Sequence, residues 1–361
     1  MNQKNKTFIA ILLMLIVLFS FGGCKSDGDN QAANADNSIE AVTTAFTTTS
    51  TTTSTTTTTT TTMTTTTTTT IATTTNTTTT STAITTVTSA SLGGESSTVT
   101  TTTTAAHYAG LYNAENLEAV YEESAYESIH PASLTKLLTA CTALEYVSPD
   151  TVFEVGTELN LLNGGSSLCL ISQGHSLTLY DLITGMLVRS GNDAAYTIAV
   201  NVAREVSGDE TLSDSQAVEF FVGLMNDYAQ SIGVYDSHFV NPDGWDDENQ
   251  YTTVNDLAKI ASAAIGNQYI KEIVALQSKY VVFASGQNIT WSNTNALLYP
   301  ESEYYCEDAI GMKTGSTPMA GKCLIAAFDV DGAIFIAISA NNQSEQERYE
   351  SILELYDMIC G

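Results

Sequence analysis

Between residues 43 and 104 the chain is almost entirely threonine and serine. A stretch with so few large apolar side chains cannot bury enough surface to offset the entropy of ordering it. No core can be built there, so the folded domain is expected over residues 105–361. That remainder is long enough for a sizeable core and a cleft. Residues 24–104 read as a disordered Thr/Ser-rich linker with an r.m.s. reach of roughly 45–55 Å if it behaves as a coil. Its sequence fits a spacer that holds a domain away from a surface.

Residues 1–23 read as an export signal. Lys4 and Lys6 precede an unbroken apolar or small run from Phe8 to Phe21. The run is short for a membrane span of about 20 residues but suits a signal-peptide core. Phe21-Gly22-Gly23-Cys24 resembles a bacterial lipobox, with Phe where Leu is more usual. That resemblance implies cleavage before Cys24 and lipidation of its thiol. A lipidated cysteine and an uncleaved signal anchor both put the domain outside the cytoplasmic membrane.

Charge excludes one class of partner. After Thr104 the chain has nine Lys and Arg against thirty-five Asp and Glu, within a whole-chain net charge of −28. No basic stripe exists to neutralise nucleic-acid phosphates. Apart from Cys24, the five cysteines are irregularly spaced and odd in number, which is no disulfide framework. Cys141 and Cys323 lie in apolar contexts and read as buried thiols, while one bridge involving Cys306 or Cys360 stays open. The four histidines are scattered, and neither C-x-x-C nor H-E-x-x-H occurs, so no metal site or cofactor is expected.

Periodicity divides the domain into strands at both ends and helices between. His107–Asn113 and Leu117–Tyr121 read as a hairpin. Helices are expected over Ser133–Val147, Leu179–Val188, Asp193–Val206 and from a Ser213-Asp214 cap to about Ile232. Thr253, with Asp256 three residues on, starts another. Tyr280–Ala284, Ala309–Thr314, Lys322–Val330 and Ala333–Ala340 read as strands, the last two joined by an Asp331-Gly332 turn. A closing helix spans Ser344–Ile359. The fold class is α/β in the α+β sense: one antiparallel sheet flanked by helices, plus an inserted all-helical region.

Three short motifs carry chemistry. In Ser133-Leu134-Thr135-Lys136 a serine at a helix start meets the positive end of the helix dipole. Lys136, three residues on, shares its face and can take its proton if desolvation keeps the amine neutral. In Ser190-Gly191-Asn192 an extended turn would project a hydroxyl and an amide together, for proton relay and for holding a substrate amide. In Lys313-Thr314-Gly315, at a strand end, Lys313 supplies a fixed cation. Gly315 leaves room for a substrate backbone, and the Ser316 N–H can serve an oxyanion. Each motif alone is common in unrelated chains.

Together and in this order they form the S-x-x-K, S-x-N, K-T-G set of penicillin-binding proteins and serine β-lactamases. The segments His130–Lys136, Ser190–Ala195, Asn241–Trp245, Tyr251–Thr253 with Asp256–Ala258, Asn293–Asn295 and Lys313–Thr317 with Ala320–Cys323 resemble the serine D-alanyl-D-alanine carboxypeptidases. The resemblance covers essentially all of residues 105–361 and implies a β-lactamase/transpeptidase-like fold. It further implies Ser133 as nucleophile, Lys136 as its base and Ser190 as the relay to the leaving D-Ala. Asn192, Lys313, Thr314 and Gly315 would bind substrate, and the N–H groups of Ser133 and Ser316 would form the oxyanion hole. The implied partners are a peptidoglycan stem peptide ending in D-Ala-D-Ala, β-lactams as covalent inhibitors, and the membrane through Cys24.

Two departures stand out. Gln250 occupies a position where family members often have His. The chain stops at Gly361, before the β-rich domain and anchor helix of many members, so Cys24 and the Thr tract are expected to replace them. Three other readings compete. A class A β-lactamase would need a deacylating glutamate, and the stretch between Ser190 and Lys313 shows Asn241–Trp245 instead. A penicillin-binding sensor or wall-binding lipoprotein would show identical motifs. An adhesin with a decayed enzyme head sits poorly with an intact motif set.

Overall fold

The computed structural model describes residues 82–89, 97–104 and 108–360. The export segment, Cys24 and the linker up to residue 81 lie outside these residues. Within the Thr tract, β1 (Thr82–Ser89) and β2 (Ser97–Thr104) pair antiparallel, Thr82 opposite Thr104 and Ser89 opposite Ser97. The tract reads as coil from its composition, and this ladder differs from that over two segments. β-branched threonine favours extended backbone even where no core forms.

The domain is organised around a five-stranded antiparallel sheet. Its strands are β3 (Tyr108–Asn113), β4 (Ala119–Glu123), β9 (Ala309–Thr317), β10 (Gly321–Val330) and β11 (Ala333–Asn342), in the order β4-β3-β11-β10-β9. The hairpin, the Asp331-Gly332 turn and the sheet's sidedness follow the sequence pattern. β9 runs three residues past the expected Thr314, because β10 keeps pairing with it as far as Gly321 opposite Thr317. The third motif therefore lies inside an edge strand, not at its end.

Both faces of the sheet are covered. Leu324, Ala326 and Phe328 of β10 face one core cluster, and Cys323, Ile325 and Ala327 face the other. This period-two split explains why the strand reads as a continuous apolar run. Tyr349, Ile352 and Leu355 of the closing helix (Glu345–Asp357) seal the first face.

The remaining helices lie on the other side. α1 (Thr135–Tyr146) is buried at every residue from Thr135 to Ala143, so it is a central helix and not an amphipathic one. Around it stand α2 (Leu179–Val188), α3 (Asn192–Ser207), α4 (Asp214–Ser231), α5 (Val254–Gly266) and α6 (Gln268–Val274), the closing helix being α7. α4 starts at a full capping box between Ser213 and Gln216. Thr253 caps α5 by accepting from the Asp256 N–H. Short ladders pair β5 (Val152–Glu154) with β6 (Ser176–Thr178), and β7 (Ser278–Val282) with β8 (Asn288–Ser292). Of these four strands only β7 overlaps a sequence expectation. The five cysteines among the described residues are free thiols, with Cys141, Cys169, Cys306 and Cys323 buried and Cys360 exposed. The open bridge involving Cys306 or Cys360 is therefore not formed.

Candidate active site

Ser133 sits in a 3-10 turn, Ala132–Leu134, directly before α1. It is thus at the mouth of the helix and not in its first turn. Ala132 holds a left-handed φ of 47°, an uncommon conformation for a residue with a Cβ. The Thr135 hydroxyl fastens the turn by donating to the Ala132 carbonyl at 2.9 Å. Lys136, in the first turn of α1, is fully buried, and its Nζ donates to Ser133 Oγ at 2.8 Å. The same Nζ donates to the Asp243 carbonyl.

Burial disfavours the ammonium form, and the nearby Asp243 and Asp193 carboxylates only partly restore it. The Lys136 pKa is lowered to about 8. An amine in that range is free often enough near neutral pH to accept a proton from Ser133.

The Asp243 carbonyl reaches Lys136 because the 241–245 turn is pressed against the nucleophile. Gly244 has φ 85°, and a Cβ there would stand 1.8 Å from the Ala132 carbonyl oxygen, so only glycine fits. Gln250 anchors this turn. Its Oε1 accepts from the Val240 and Asn241 N–H groups, and its Nε2 donates to Asn241 Oδ1 and the Trp245 carbonyl. A neutral imidazole has one donor and one acceptor and could not make that set. The departure at Gln250 is therefore built into the turn.

The second motif meets the third across the cleft. Ser190 adopts a left-handed φ of 61°, so the turn is not the extended one its spacing suggests. Even so, Lys313 Nζ donates to Ser190 Oγ at 2.9 Å and to the Thr314 carbonyl at 2.8 Å. Asn192 begins α3 and lines the cleft. Its Nδ2 donates to Ser166 Oγ at 3.2 Å, and its buried Oδ1 has no hydrogen-bond partner. Asp193 fixes the start of α3 by accepting from the N–H groups of Cys169 and Ile171 at 2.9 and 3.2 Å.

Lys313 is 1% exposed. Burial comes first, then the like charges of Lys136 and Arg348, and together they push its pKa well below the ordinary lysine value. Burial and like charge thus both work against the ammonium form in the free site. A docked carboxylate supplies the missing counter-charge. Thr314 Oγ1 lies 2.7 Å from Thr294 Oγ1. Gly315 also differs from expectation. Where its Cβ would stand, Ala132 Cβ and the Ser133 nitrogen are 3.1 and 3.3 Å away, so its small size seats β9 on the nucleophile turn. Behind β9, buried Arg348 donates to the Gly315 carbonyl at 3.4 Å and pairs with Glu345 at 3.1 Å.

Ser133, Asn192, Asp243, Trp245 and Ser316 line a common cavity of about 110 Å³. The three motifs thus converge, with Lys136 bonded to Ser133 and Lys313 to Ser190. Sequence reasoning missed Asp193, Asp243, Gln250 and Arg348 as members of the site. The first three fall within or beside segments that carried the family resemblance, which was the available signal. Arg348 had only its position as a lone cation on the inner face of a helix.

Residues 95–344 match the family model described as D-alanyl-D-alanine carboxypeptidase. The D-alanyl-D-alanine carboxypeptidase of Streptomyces sp. (strain K15) is 34% identical over 221 residues, covering 58% of this chain and 71% of that protein. DacF of Bacillus subtilis (strain 168), a D-alanyl-D-alanine carboxypeptidase, is 26% identical over 257 residues, and the chain spans 61% of its length. Among solved structures, the Streptomyces K15 DD-transpeptidase superposes with a TM-score of 0.64 at 28% identity, covering 72% of this chain and 98% of that one.

Proposed function

Because the chain belongs to the D-alanyl-D-alanine carboxypeptidase family, we propose that it removes the terminal D-Ala from peptidoglycan stem peptides through an acyl-enzyme on Ser133. The observation that carries this reading is the 2.8 Å bond between Ser133 Oγ and a fully buried lysine amine. Lys136 takes the Ser133 proton as Oγ attacks the carbonyl between the last two D-Ala residues. The N–H groups of Ser133 and Ser316 hold the oxyanion, a contribution of about 2.7–4 kcal/mol per donor in other hydrolases. Ser190, bonded to Lys313, passes the proton to the departing D-Ala. Lys313 and Thr314 receive the terminal carboxylate, and the free Oδ1 of Asn192 accepts from a substrate amide. Water then hydrolyses the ester. A β-lactam mimics the D-Ala-D-Ala end and forms the corresponding adduct.

The family acts on the cell wall, outside the cytoplasm. Among the described residues no helix is long and apolar enough to cross a membrane. We propose that a lipid on Cys24 anchors the chain to the outer face of the membrane, with the Thr tract as tether. Replacing Cys24 with Ser should then alter processing and membrane retention, and a Cys24→Ser protein unchanged in both would sink this reading.

The activity test is free D-Ala released by the full chain from a diacyl-L-Lys-D-Ala-D-Ala peptide, beside Ser133→Ala. Release that vanishes in the variant supports the proposal. A folded wild type that takes up penicillin but releases no D-Ala, from this peptide or its diaminopimelate counterpart, would favour the sensor reading.

A further inference from the structure

One ionisable side chain that lines the Ser133 cavity takes no part in this chemistry. Asp243 is 1% exposed and lines the cavity that holds Ser133. Its Oδ1 accepts from the Trp245 N–H at 3.1 Å, which fixes the carboxylate plane. Its Oδ2 is buried and has no hydrogen-bond partner. An unpartnered carboxylate oxygen in a buried site is costly unless the site uses it. Its neighbour Gly244 abuts the Ala132–Ser133 backbone, and its own carbonyl accepts from the Lys136 amine. Both ends of Asp243 therefore bear on the nucleophile and its base. A cavity of about 110 Å³ beside polar groups has room for a water.

Resting on the carboxypeptidase reading, we infer that Asp243 is the general base that activates water to hydrolyse the Ser133 acyl-enzyme. The water O–H bond breaks and its proton goes to Asp243 Oδ2, while the water oxygen bonds the acyl carbon. The bond from that carbon to Ser133 Oγ then breaks, and Oγ takes a proton from Lys136. The proton on Asp243 replaces it, so both residues end as they began and the acid product ionises on release. The division of labour follows from position. Lys136 Nζ is held between Ser133 Oγ and the Asp243 carbonyl, where it can reprotonate the leaving oxygen. Asp243 lines the same cavity as Ser133, where the water must enter. This is the deacylating carboxylate that the sequence did not offer as a glutamate.

Intact mass spectrometry of the full chain with penicillin, followed after removal of free drug, separates the two half-reactions. Wild type should form one adduct on Ser133 and then lose it. Asp243→Asn keeps an oxygen for the Trp245 N–H and removes the base. Its adduct should form within about tenfold of the wild-type rate and persist roughly 10²-fold longer or more, the usual worth of a general base. Asp243→Ser, which also keeps an acceptor, is the second variant and carries the same expectation if the amide fails to fold. Adduct lifetimes equal to wild type in a folded variant overturn the inference. So does a loss confined to the formation step, which would make Asp243 a structural support of Lys136. A wild type that forms no adduct overturns the carboxypeptidase reading itself.

Discussion

The helix behind Ser133 and the strand β9 each bury a lysine, and they treat it differently. On the helix Lys136 has the Asp243 and Asp193 carboxylates near it, and its pKa is about 8. On the strand Lys313 has only Lys136 and Arg348 as charged neighbours that matter, and its pKa falls well below the usual value. Burial is the leading cause in both cases. The acids near Lys136 return part of what burial takes, leaving a base poised near neutral pH. The cations near Lys313 add to the effect, and an arriving anion opposes it. The lesson is that one residue type does two jobs according to the sign of its second neighbours.

Truncation should break the comparison most sharply. Lys136→Ala should cut the rate of Ser133 acylation by roughly 10²–10⁴-fold, since it removes the base. Lys313→Ala should cost less, about 10–150-fold in kcat/KM and mainly through KM, as expected for a lost hydrogen bond to a charged group. Stopped-flow acylation and steady-state D-Ala release measure the two. Equal losses in both variants would erase the distinction.

The turn that serves Lys136 gives a smaller effect. Gln250→Glu keeps the two acceptances but loses both donations, to Asn241 and Trp245. We expect a loss of about 1–3 kcal/mol of stability, with acylation slowed more than substrate binding is weakened. Denaturant unfolding beside single-turnover kinetics would show it. Unchanged acylation in a destabilised Gln250→Glu would detach the turn from the chemistry.

The smallest effect sharpens the strand side. Docking of a carboxylate-terminated ligand should raise the Lys313 pKa, so binding near neutral pH should take up as much as about one proton. Calorimetry in buffers of different ionisation enthalpy reads that number. The uptake should be missing in Lys313→Ala, and its presence there would assign the proton elsewhere.

How much of this was readable beforehand follows from how local each feature is. Ser133 and Lys136 are three residues apart at a helix start, so their meeting is written in the chain. The meeting of Ser190 with Lys313 spans 123 residues and became visible only through the motif set. The sheet, its hairpins and the caps at Ser213 and Thr253 follow from alternation and capping residues. β8 was missed because Asn288–Ser292 is short and mostly exposed, with Trp291 as its one buried anchor. Leu177 plays the same part in three-residue β6, and neither strand shows a period long enough to read. Ser190's left-handed backbone could not be read either, since serine gives no hint of positive φ. Asp243 looked like a turn residue, and only the fold places it on the nucleophile's cavity.

The central claim is that a desolvated Lys136 amine activates Ser133, and the pH dependence of Ser133 acylation tests it most directly. Falling pH protonates Lys136 and removes the base, so the rate should rise with pH toward a half-maximum near 8. Labelled penicillin, intact mass and pH steps from about 6 to 9 are sufficient, with Lys136→Ala alongside. The account predicts a single adduct on Ser133 whose rate follows that curve and flattens at a low level in the variant. A wild-type rate independent of pH across the range, or an adduct on another residue, would contradict it.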